Sequence, residues 1–334
     1  MSPAAKPAVL VCRRVFPEVL DRLGAHFDIE ANQADDEWSR DELIERLQGK
    51  AGAFITSTNP IDATVLARCP TLRAVASMAV GYNNVDLDAC TAHGVAFSNA
   101  PGVLTETTAD FGFALLLATA RRVTESEHYL RRGDWTKWTI DLFAGPDVHG
   151  TTLGVLGMGR IGQAVARRGA LGFGMPVIYH NRSRLDAAIE RELGARYVDR
   201  DALLREADHL VIVVPYSAAA HHLVGAPELA LMKRTATLVN IARGGIVDDV
   251  ALAAALREGR IAAAGLDVFE DEPNVHPDLL ALSNVVLTPH IASASLPTRR
   301  AMAMLAVDNL VALLDTSAGL VAPTVLNPQA IARL

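Results

Sequence analysis

The sequence has few cysteines and no long apolar run, and each shortage excludes a class of protein. Its three cysteines, Cys12, Cys69 and Cys90, have neither the spacing of metal ligands nor a count that pairs into disulfides. We therefore expect buried thiols in a reduced, cytoplasmic protein, and no metal site. The longest apolar stretch, Phe111 to Ala120, is far shorter than the ~20 residues that cross a bilayer. The apolar run near the N-terminus is too short for a signal peptide.

Positive charge is also scarce. Lysine and arginine number 31 against 38 aspartates and glutamates, for a net charge of −7. This balance argues against non-specific binding to nucleic acid or to an anionic membrane, although it does not exclude local basic patches. The chain is 334 residues long and 50% hydrophobic, which is typical of a globular protein of about two domains.

A glycine-rich run stands near the middle of the chain, Gly157-Met158-Gly159-Arg160-Ile161-Gly162. An apolar strand-like segment precedes it, and a helical pattern and a second apolar run follow. This order is that of the βαβ unit that binds a dinucleotide. Gly157 permits the tight turn, Gly159 lets the backbone approach a pyrophosphate, and Gly162 lets the helix pack close to the strand. N–H groups at the helix start favour the phosphate charge, whereas the alternative is a glycine-rich turn without a ligand.

Short apolar runs alternate with amphipathic segments from residue 8 onward, which predicts parallel sheets covered by helices on both faces. The first 99 residues contain five such runs, and Thr151 opens a second region in which six strands are expected. Between them we expect one long helix from Thr105 to His128 and an irregular segment, Arg131 to His149. A last helix is predicted from Thr298 to Leu314.

Three clusters of chemical residues follow strands of the second region, where an open parallel sheet places its ligands. They lie at 239–245, 265–273 and 287–293, and contain Arg243, Glu272 and His290 respectively. Alone, each residue has an ordinary structural explanation: Arg243 as part of a surface ion pair, Glu272 as a loop carboxylate and His290 as a structural histidine. Together they supply a fixed cation, a titratable imidazole and a carboxylate to tune it.

These motifs, in this order around the glycine turn, resemble the D-isomer-specific 2-hydroxyacid dehydrogenases over nearly the whole chain. The stretch Ala79 to Asp86 resembles the substrate loop of the glyoxylate and hydroxypyruvate reductase branch, and Leu104 to Asp110 resembles the family's cofactor-side helix start. The resemblance implies an α/β fold of two doubly wound parallel-sheet domains with the active site in the cleft between them. It implies a Rossmann-type cofactor domain at 100–296, with a dimerisation segment at 103–149, and a discontinuous, flavodoxin-like substrate domain at 1–99 and 297–334.

The resemblance also assigns roles in hydride transfer between a nicotinamide and a 2-oxo acid. His290 would be the general acid in reduction and the base in oxidation. Glu272 would favour its protonated form. Arg243 would bind the substrate carboxylate with the backbone N–H groups of Val80 and Gly81.

Further contacts are implied around the cofactor. Asp267 would serve the nicotinamide end or support the catalytic arginine, or would simply be a buried cap at a strand end. Besides the glycine run, the predicted cofactor contacts are Thr105, Asn181, Arg182, Ser183, Pro215, Ile241, Ala242 and Ala292.

The choice of nucleotide depends on the end of the second strand. NAD sites place a carboxylate there, about 20 residues beyond the glycine run. In this sequence the corresponding position is His180 or Asn181, and neither is acidic. Arg182, Ser183 and Arg184 follow. An arginine pair with a hydroxyl would attract a 2′-phosphate, so we expect NADPH to be preferred, with NAD possible. The alternative is a solvated basic turn.

Glyoxylate and hydroxypyruvate are the leading substrates, ahead of other short 2-oxo acids. By resemblance, Trp138 would reach across a homodimer into the neighbouring pocket; otherwise Trp135 and Trp138 pack a dimer interface. Glu272 argues against the formate dehydrogenase branch, in which the histidine partners a glutamine. The alternatives are a dehydrogenase for another D-2-hydroxy acid and a nucleotide-sensing binding protein of the co-repressor type.

Overall fold

The computed structural model describes residues 5–333, apart from the side chains of residues 316 and 333. Its strands are β1 (Ala8–Val11), β2 (Asp28–Ala31), β3 (Gly52–Ile55), β4 (Ala74–Ser77), β5 (Ala96–Ser98), β6 (Leu153–Leu156), β7 (Val177–His180), β8 (Ala195–Tyr197), β9 (His209–Ile212), β10 (Thr237–Asn240), β11 (Ala263–Leu266) and β12 (Val285–Leu287). Its α-helices are α1 (Pro17–His26), α2 (Arg40–Leu47), α3 (Ala63–Arg68), α4 (Leu87–Ala92), α5 (Thr105–Ala120), α6 (Val123–Arg131), α7 (Arg160–Arg167), α8 (Ala187–Leu193), α9 (Arg200–Glu206), α10 (Ala226–Leu229), α11 (Asp249–Arg257), α12 (Pro277–Leu280) and α13 (Leu296–Leu314).

The chain divides into two units. One comprises the described residues up to Leu104 together with those from Ser295 onward, and the other runs from Thr105 to Ala294. The chain therefore leaves the first unit once and returns to it.

The first unit is built on a five-stranded parallel sheet in the order β2-β1-β3-β4-β5. This is the strand order of the flavodoxin-like doubly wound fold. Alternate residues of β1 face opposite sides of the sheet. Val9 and Val11 pack with Leu310 of α13, whereas Leu10 packs with Leu47 of α2. One face is thus covered by α13 together with α1, and the other by α2 and α3.

Residues after α13 are also joined to this sheet. The Asn327 side chain accepts a hydrogen bond from the Phe97 N–H (2.8 Å) and donates to the Val95 carbonyl (2.9 Å). Asn327 is buried, so these bonds fix the residues after α13 to the edge strand β5.

The second unit contains a seven-stranded sheet in the order β12-β11-β10-β9-β6-β7-β8, again parallel throughout. The order reverses between β6 and β9, which is the switch point at which doubly wound sheets bind ligands. The predicted α/β class of doubly wound parallel sheets is confirmed.

One expected element of this unit is wrong. The single helix predicted from Thr105 to His128 is two helices, α5 and α6, because Arg122 adopts a left-handed backbone with φ 54°. Its guanidinium binds Glu125 and lies over the ring of Phe143, 4.9 Å from the centroid. These contacts, one with α6 itself and one with the loop after it, hold the break.

The predicted strand number is also too low. A seventh strand, β8, is a three-residue edge strand with the sequence Ala-Arg-Tyr, which is too short to show an alternating pattern. Its register pairs Tyr197 with Tyr179 of β7, so it borders the turn that follows β7.

Candidate active site

The three residues expected to carry chemistry lie beyond the carboxyl ends of three neighbouring strands. Arg243 follows β10, Glu272 follows β11 and His290 follows β12. Because these strands are parallel and adjacent, their carboxyl ends lie at the same edge of the sheet.

His290 and Glu272 form a direct pair, with 2.8 Å between Nδ1 and the carboxylate Oε2. Their side chains are 37% and 34% exposed, so the pair is open to a ligand. With Nδ1–H donating to Glu272, Nε2 is the nitrogen that can exchange a proton with a bound molecule. His290 has a left-handed backbone, φ 53°, which an L-residue adopts only when its surroundings enforce it.

Glu272 is kept ionised by its neighbours. Burial acts to raise the pKa of this carboxyl, but the hydrogen bond and charge of His290, the N–H of Phe269 and the charge of Arg243 together hold it below its ordinary value. Its second oxygen, Oε1, accepts from the Phe269 N–H at 3.0 Å. A carboxylate fixed at both oxygens orients the imidazole and stabilises its protonated form.

Arg243 is half-buried in a tightly folded loop after β10. The buried Asn240 side chain accepts from the Ala242 N–H (3.0 Å) and donates to the Arg243 carbonyl (3.1 Å). A Cβ at Gly244 would collide with the Phe269 carbonyl, so the loops carrying Arg243 and Glu272 are in contact. Burial lowers the pKa of Arg243 and the charge of Glu272 opposes this, but a guanidinium stays cationic in proteins.

Asp267 supports the loop that carries His290. It is fully buried, and its carboxylate accepts from the Thr288 hydroxyl (2.7 Å) and from the N–H groups of Ile291 and Ala292 (both 2.8 Å). Burial raises the pKa of Asp267, although these three hydrogen bonds and the charge of His290 act against it. These contacts are the ones expected if Asp267 is a buried cap at the end of a strand, which was the alternative to a cofactor role. They also occupy the N–H of Ala292, a predicted cofactor contact.

The glycine turn after β6 has the conformation that a dinucleotide needs. Gly157 has φ +99°, and a Cβ there would lie 2.8 Å from the backbone of Val214. A Cβ at Gly162 would collide with the Gly157 carbonyl, whereas one at Gly159 would meet nothing within 4 Å. The turn is thus packed tightly on its inner side and open at Gly159, which N-caps α7. Backbone N–H groups at this helix start fit a pyrophosphate.

The turn after β7 contains a single available cation. Arg184 forms two hydrogen bonds to the buried Glu190, at 2.9 and 2.8 Å, so the expected arginine pair is reduced to one. Arg182 is exposed, and its guanidinium makes no hydrogen bond or ion pair with any residue in 5–333. The Asn181 side chain donates to the Ser183 carbonyl at 3.1 Å, which shapes the turn.

The other residues predicted for this unit lie as follows. Met158 is fully buried, Arg160 is exposed at the first turn of α7, and Ile161 is half-buried beside it. Thr105 begins α5, Pro215 is exposed after β9, and Ile241 and Ala242 are buried after β10. Trp138 is 73% exposed.

In the first unit, Val80 and Gly81 lie half-buried in the loop after β4. The Asn99 side chain donates to the Val80 carbonyl at 2.7 Å, and the Ser77 hydroxyl accepts from the Ala79 N–H at 3.1 Å. The loop is therefore held by polar contacts that leave the N–H groups of Val80 and Gly81 outside these bonds.

Sequence reasoning missed the residues that hold the candidate catalytic residues in place. Asn240 and Thr288 are ordinary strand-end residues in the sequence, and only the folded loops reveal their partners. A second cluster, of His221, His222 and Glu270, was also missed. Its one sequence signal is the pair of adjacent histidines.

Comparison with known proteins agrees with this geometry. The family model described as "D-isomer specific 2-hydroxyacid dehydrogenase, NAD binding domain" matches residues 113–292, more than half of the chain. The chain belongs to this dehydrogenase family. The D-isomer-specific 2-hydroxyacid dehydrogenases are oxidoreductases of 2-oxo and 2-hydroxy acids, and the matched residues include the glycine turn, Arg243, Glu272 and His290.

Its relatives among these dehydrogenases include glyoxylate reductases. The chain is 46% identical over 330 residues to the glyoxylate reductase of Thermococcus onnurineus, covering 98% of this chain and 97% of that protein. It is 47% identical over 331 residues to that of Aeropyrum pernix, with the same coverage. An NADPH-dependent glyoxylate/hydroxypyruvate reductase of Sinorhizobium meliloti, solved with NADP and malonate, superposes with a TM-score of 0.84 at 35% identity over 98% of each chain. None of the described helices is long and apolar enough to span a membrane.

Proposed function

We propose that this dehydrogenase reduces glyoxylate and hydroxypyruvate to the corresponding 2-hydroxy acids, D-configured where a stereocentre forms, with NADPH as the preferred cofactor. The observation that carries the proposal is the His290–Glu272 pair at 2.8 Å, with Arg243 on the neighbouring loop. The names of the relatives support the substrate class.

Each residue has a separate role in carbonyl reduction. Arg243 binds the substrate carboxylate through its planar fork of N–H donors and draws electron density from the adjacent carbonyl. The N–H groups of Val80 and Gly81 remain predicted further donors to that carboxylate. The bound nicotinamide would supply a hydride to the carbonyl carbon.

The proton for the product oxygen comes from His290. As the carbonyl oxygen becomes an alkoxide, Nε2 donates its proton and the imidazole becomes neutral, leaving a 2-hydroxy acid. Glu272, hydrogen-bonded at Nδ1, holds the ring in place and stabilises the protonated form before transfer. Solvent then reprotonates Nε2. In the oxidative direction the same nitrogen accepts the proton.

The cofactor would be held by the Gly157–Gly162 turn, the start of α7 and the turn after β7. The preference for NADPH rests on that last turn, where Asn181, Arg182 and Ser183 present a cation and no acid to a 2′-phosphate.

We also propose a homodimer formed through the segment after α5. Six of its large apolar side chains are exposed, and apolar side chains exposed together are typical of an interaction site; they are Val123, Leu130, Trp135, Trp138, Ile140 and Leu142. In this arrangement Trp138 would narrow the partner's substrate pocket towards short acids.

A reduced, cytoplasmic setting suits the three cysteines. All are buried and unpaired, and burial raises the pKa of the Cys12 and Cys90 thiols to about 12. Thiols held in their neutral form are poor nucleophiles, so we give them a packing role.

A substrate panel tests the proposal. NADPH and NADH oxidation would be followed with glyoxylate, hydroxypyruvate, pyruvate and a bulky 2-oxo acid. We expect the highest kcat/KM with NADPH and the first two acids. Because glycolate has no stereocentre, the handedness is read from the glycerate formed from hydroxypyruvate. A preference for the bulky acid, or L-glycerate as product, would contradict the proposal.

A further inference from the structure

A cluster of two histidines and one glutamate lies in the second unit, apart from the His290–Glu272 pair. His221 and His222 follow a short 3₁₀ turn in the loop after β9, and Glu270 lies in the loop after β11. Their candidate ligand atoms all lie within 4.8 Å of one another. The Nε2 atoms of His222 and His221 are 3.0 and 3.8 Å from the same carboxylate oxygen of Glu270.

A simple ion pair does not explain this arrangement. The contact of His222 with Glu270 is an ordinary hydrogen bond, but His221 turns its Nε2 to the same oxygen at a distance too long for one. The two imidazoles stack with centroids 3.9 Å apart and an interplanar angle of 21°. Stacked rings with both Nε2 atoms directed at one oxygen are suited to a shared cation.

The opposite nitrogen of each ring faces an oxygen atom. Nδ1 of His221 lies within hydrogen-bond distance of the Tyr216 hydroxyl, at 3.2 Å, and Nδ1 of His222 lies at ion-pair distance, 3.8 Å, from a carboxylate oxygen of Asp248. Metal-bound histidines typically donate their second N–H to such a group, which fixes the tautomer and leaves Nε2 free to bind the ion.

The backbone holds these groups in place. His222 has a left-handed backbone, φ 50°, and its N–H donates to the Gly245 carbonyl at 2.7 Å. The Glu270 N–H lies 3.2 Å from the carboxylate of Asp249, which is buried. The turn at 245–249 therefore supports both segments of the cluster.

Charge and spacing both suit a divalent ion. Glu270 and Asp248 place two carboxyl groups beside the two imidazoles, and the buried Asp249 accepts from the N–H of Glu270. Ligands about 2.0–2.1 Å from a tetrahedral zinc ion stand roughly 3.3 Å apart, which lies between the two N···O distances of 3.0 and 3.8 Å.

We propose that His221, His222 and Glu270 bind one divalent transition-metal ion of the Zn²⁺ or Co²⁺ type, with solvent completing its coordination. Two imidazoles and one carboxylate form a donor set typical of such ions. The sequence predicted no metal site because Glu270 lies 48 residues beyond His222. Since Glu270 stands two residues before Glu272 in the same loop, the ion would tie the loop after β9 to the loop that carries Glu272.

Cobalt binding to the full-length, untagged and chelator-treated protein tests this site. Co²⁺ bound by nitrogen and oxygen gives a visible absorption band, so a titration reads both stoichiometry and affinity. We expect one equivalent per chain, displaced by Zn²⁺, and a rise in Tm with metal because ligands that bind the native state stabilise it.

The variants His221→Ala, His222→Ala and Glu270→Gln should each weaken Co²⁺ binding about tenfold or more. The matched control is His93→Ala, which removes an exposed histidine of the first unit and should bind as wild type. Circular dichroism of each metal-free variant separates loss of ligands from loss of fold, and Glu270→Gln keeps the shape of the side chain. The proposal is overturned by the absence of the absorption band in wild type, or by equal affinities in the folded variants and wild type.

Discussion

At the scale of single residues, the candidate site depends on which atoms of each side chain are already hydrogen-bonded within the protein. Glu272 accepts hydrogen bonds at both oxygens, and His290 is paired with it through Nδ1, which would leave Nε2 to exchange a proton with a substrate. Replacing His290 by alanine should lower kcat by about 10²–10⁴-fold, because proton transfer by a positioned group contributes that much. Cofactor affinity, measured by fluorescence titration with NADPH, should stay near wild type.

The matched control for this prediction is His93→Ala, which removes an exposed imidazole at the end of α4. It should retain wild-type kcat and KM. Turnover of His290→Ala equal to that of the control would exclude His290 as the proton donor.

Asp267 offers a second prediction at the same scale. Asparagine has one acceptor oxygen where the carboxylate uses two, so Asp267→Asn leaves buried N–H groups of Ile291 or Ala292 unsatisfied. We expect a loss of about 1–3 kcal/mol in the free energy of unfolding, with a fall in kcat because the loop bearing His290 loosens. Urea denaturation and steady-state kinetics measure the two effects. Wild-type stability with a raised KM for cofactor would instead assign Asp267 to the nicotinamide.

At the scale of elements, the turn after β7 separates two arginines that look alike in the sequence. Arg182→Ala should raise the KM for NADPH about 10–100-fold, since a charge-assisted hydrogen bond is worth roughly 1.5–3 kcal/mol. The KM for NADH should not change. Arg184→Ala is the companion variant. Because the partner of Arg184 is Glu190, this variant should lower Tm and leave the KM values for NADPH and NADH near wild type. Equal NADPH kinetics in wild type and Arg182→Ala would refute the proposed preference.

The same turn predicts a dependence of stability on pH. The hydrogen bonds from Arg184 and then Tyr179 lower the pKa of Glu190 from an ordinary 4.5 to about 2. A lowered folded-state pKa stabilises the protein above the unfolded-state pKa and loses that effect as pH falls through the folded value. Glu190→Gln should therefore lower Tm at pH 7, and the difference from wild type should shrink between pH 4.5 and 2.

Glu192→Gln is the control for this pH series. Glu192 lies on the same helix, is exposed, and has a 3.4 Å contact with Arg167. Its Tm should follow wild type throughout. A constant Tm difference for Glu190→Gln down to pH 2 would show that the carboxylate charge is not the source.

The elements were predictable from the sequence wherever local patterns determine them. Helix α1 has a proline at its first position, and Ser39 with Glu42 forms the capping box of α2; both helix starts depend on residues within a few positions of one another. The break between α5 and α6 was not predictable, because it depends on Arg122 meeting Phe143 from a later loop. Strand β8 was missed because three residues cannot show alternation.

The candidate site, too, could be predicted only in part. Arg243, Glu272 and His290 carry distinctive chemistry at strand ends, so motif reasoning found them. The pairing of Arg184 with Glu190 depends on the angle at which α8 packs, and the meeting of His222 with Glu270 depends on the order of β9 to β11 in the sheet. Such contacts could not be predicted from the sequence, because no sequence pattern relates the partners.

At the scale of the whole molecule, the exposed apolar segment after α5 predicts the oligomeric state. Ile140 is 88% exposed, and a charge in an apolar interface is costly. If the proposed homodimer forms there, Ile140→Glu should weaken it at least about tenfold. Light scattering after size exclusion, over a dilution series, measures the change. Val321→Glu is matched in exposure at 88% and lies in the first unit, so it should remain dimeric; a monomeric wild type would exclude the dimer.

The return of the chain to its first sheet has a consequence for biosynthesis. A ribosome releases β1 to β5 before α13 and Asn327 exist, so the face formed by Val9 and Val11 has α1 but lacks its second covering helix, α13, until late in translation. The second unit is continuous in sequence and can complete its own core earlier. We therefore expect the order of folding to run against the order of synthesis, with the nascent first sheet as a natural client for a chaperone.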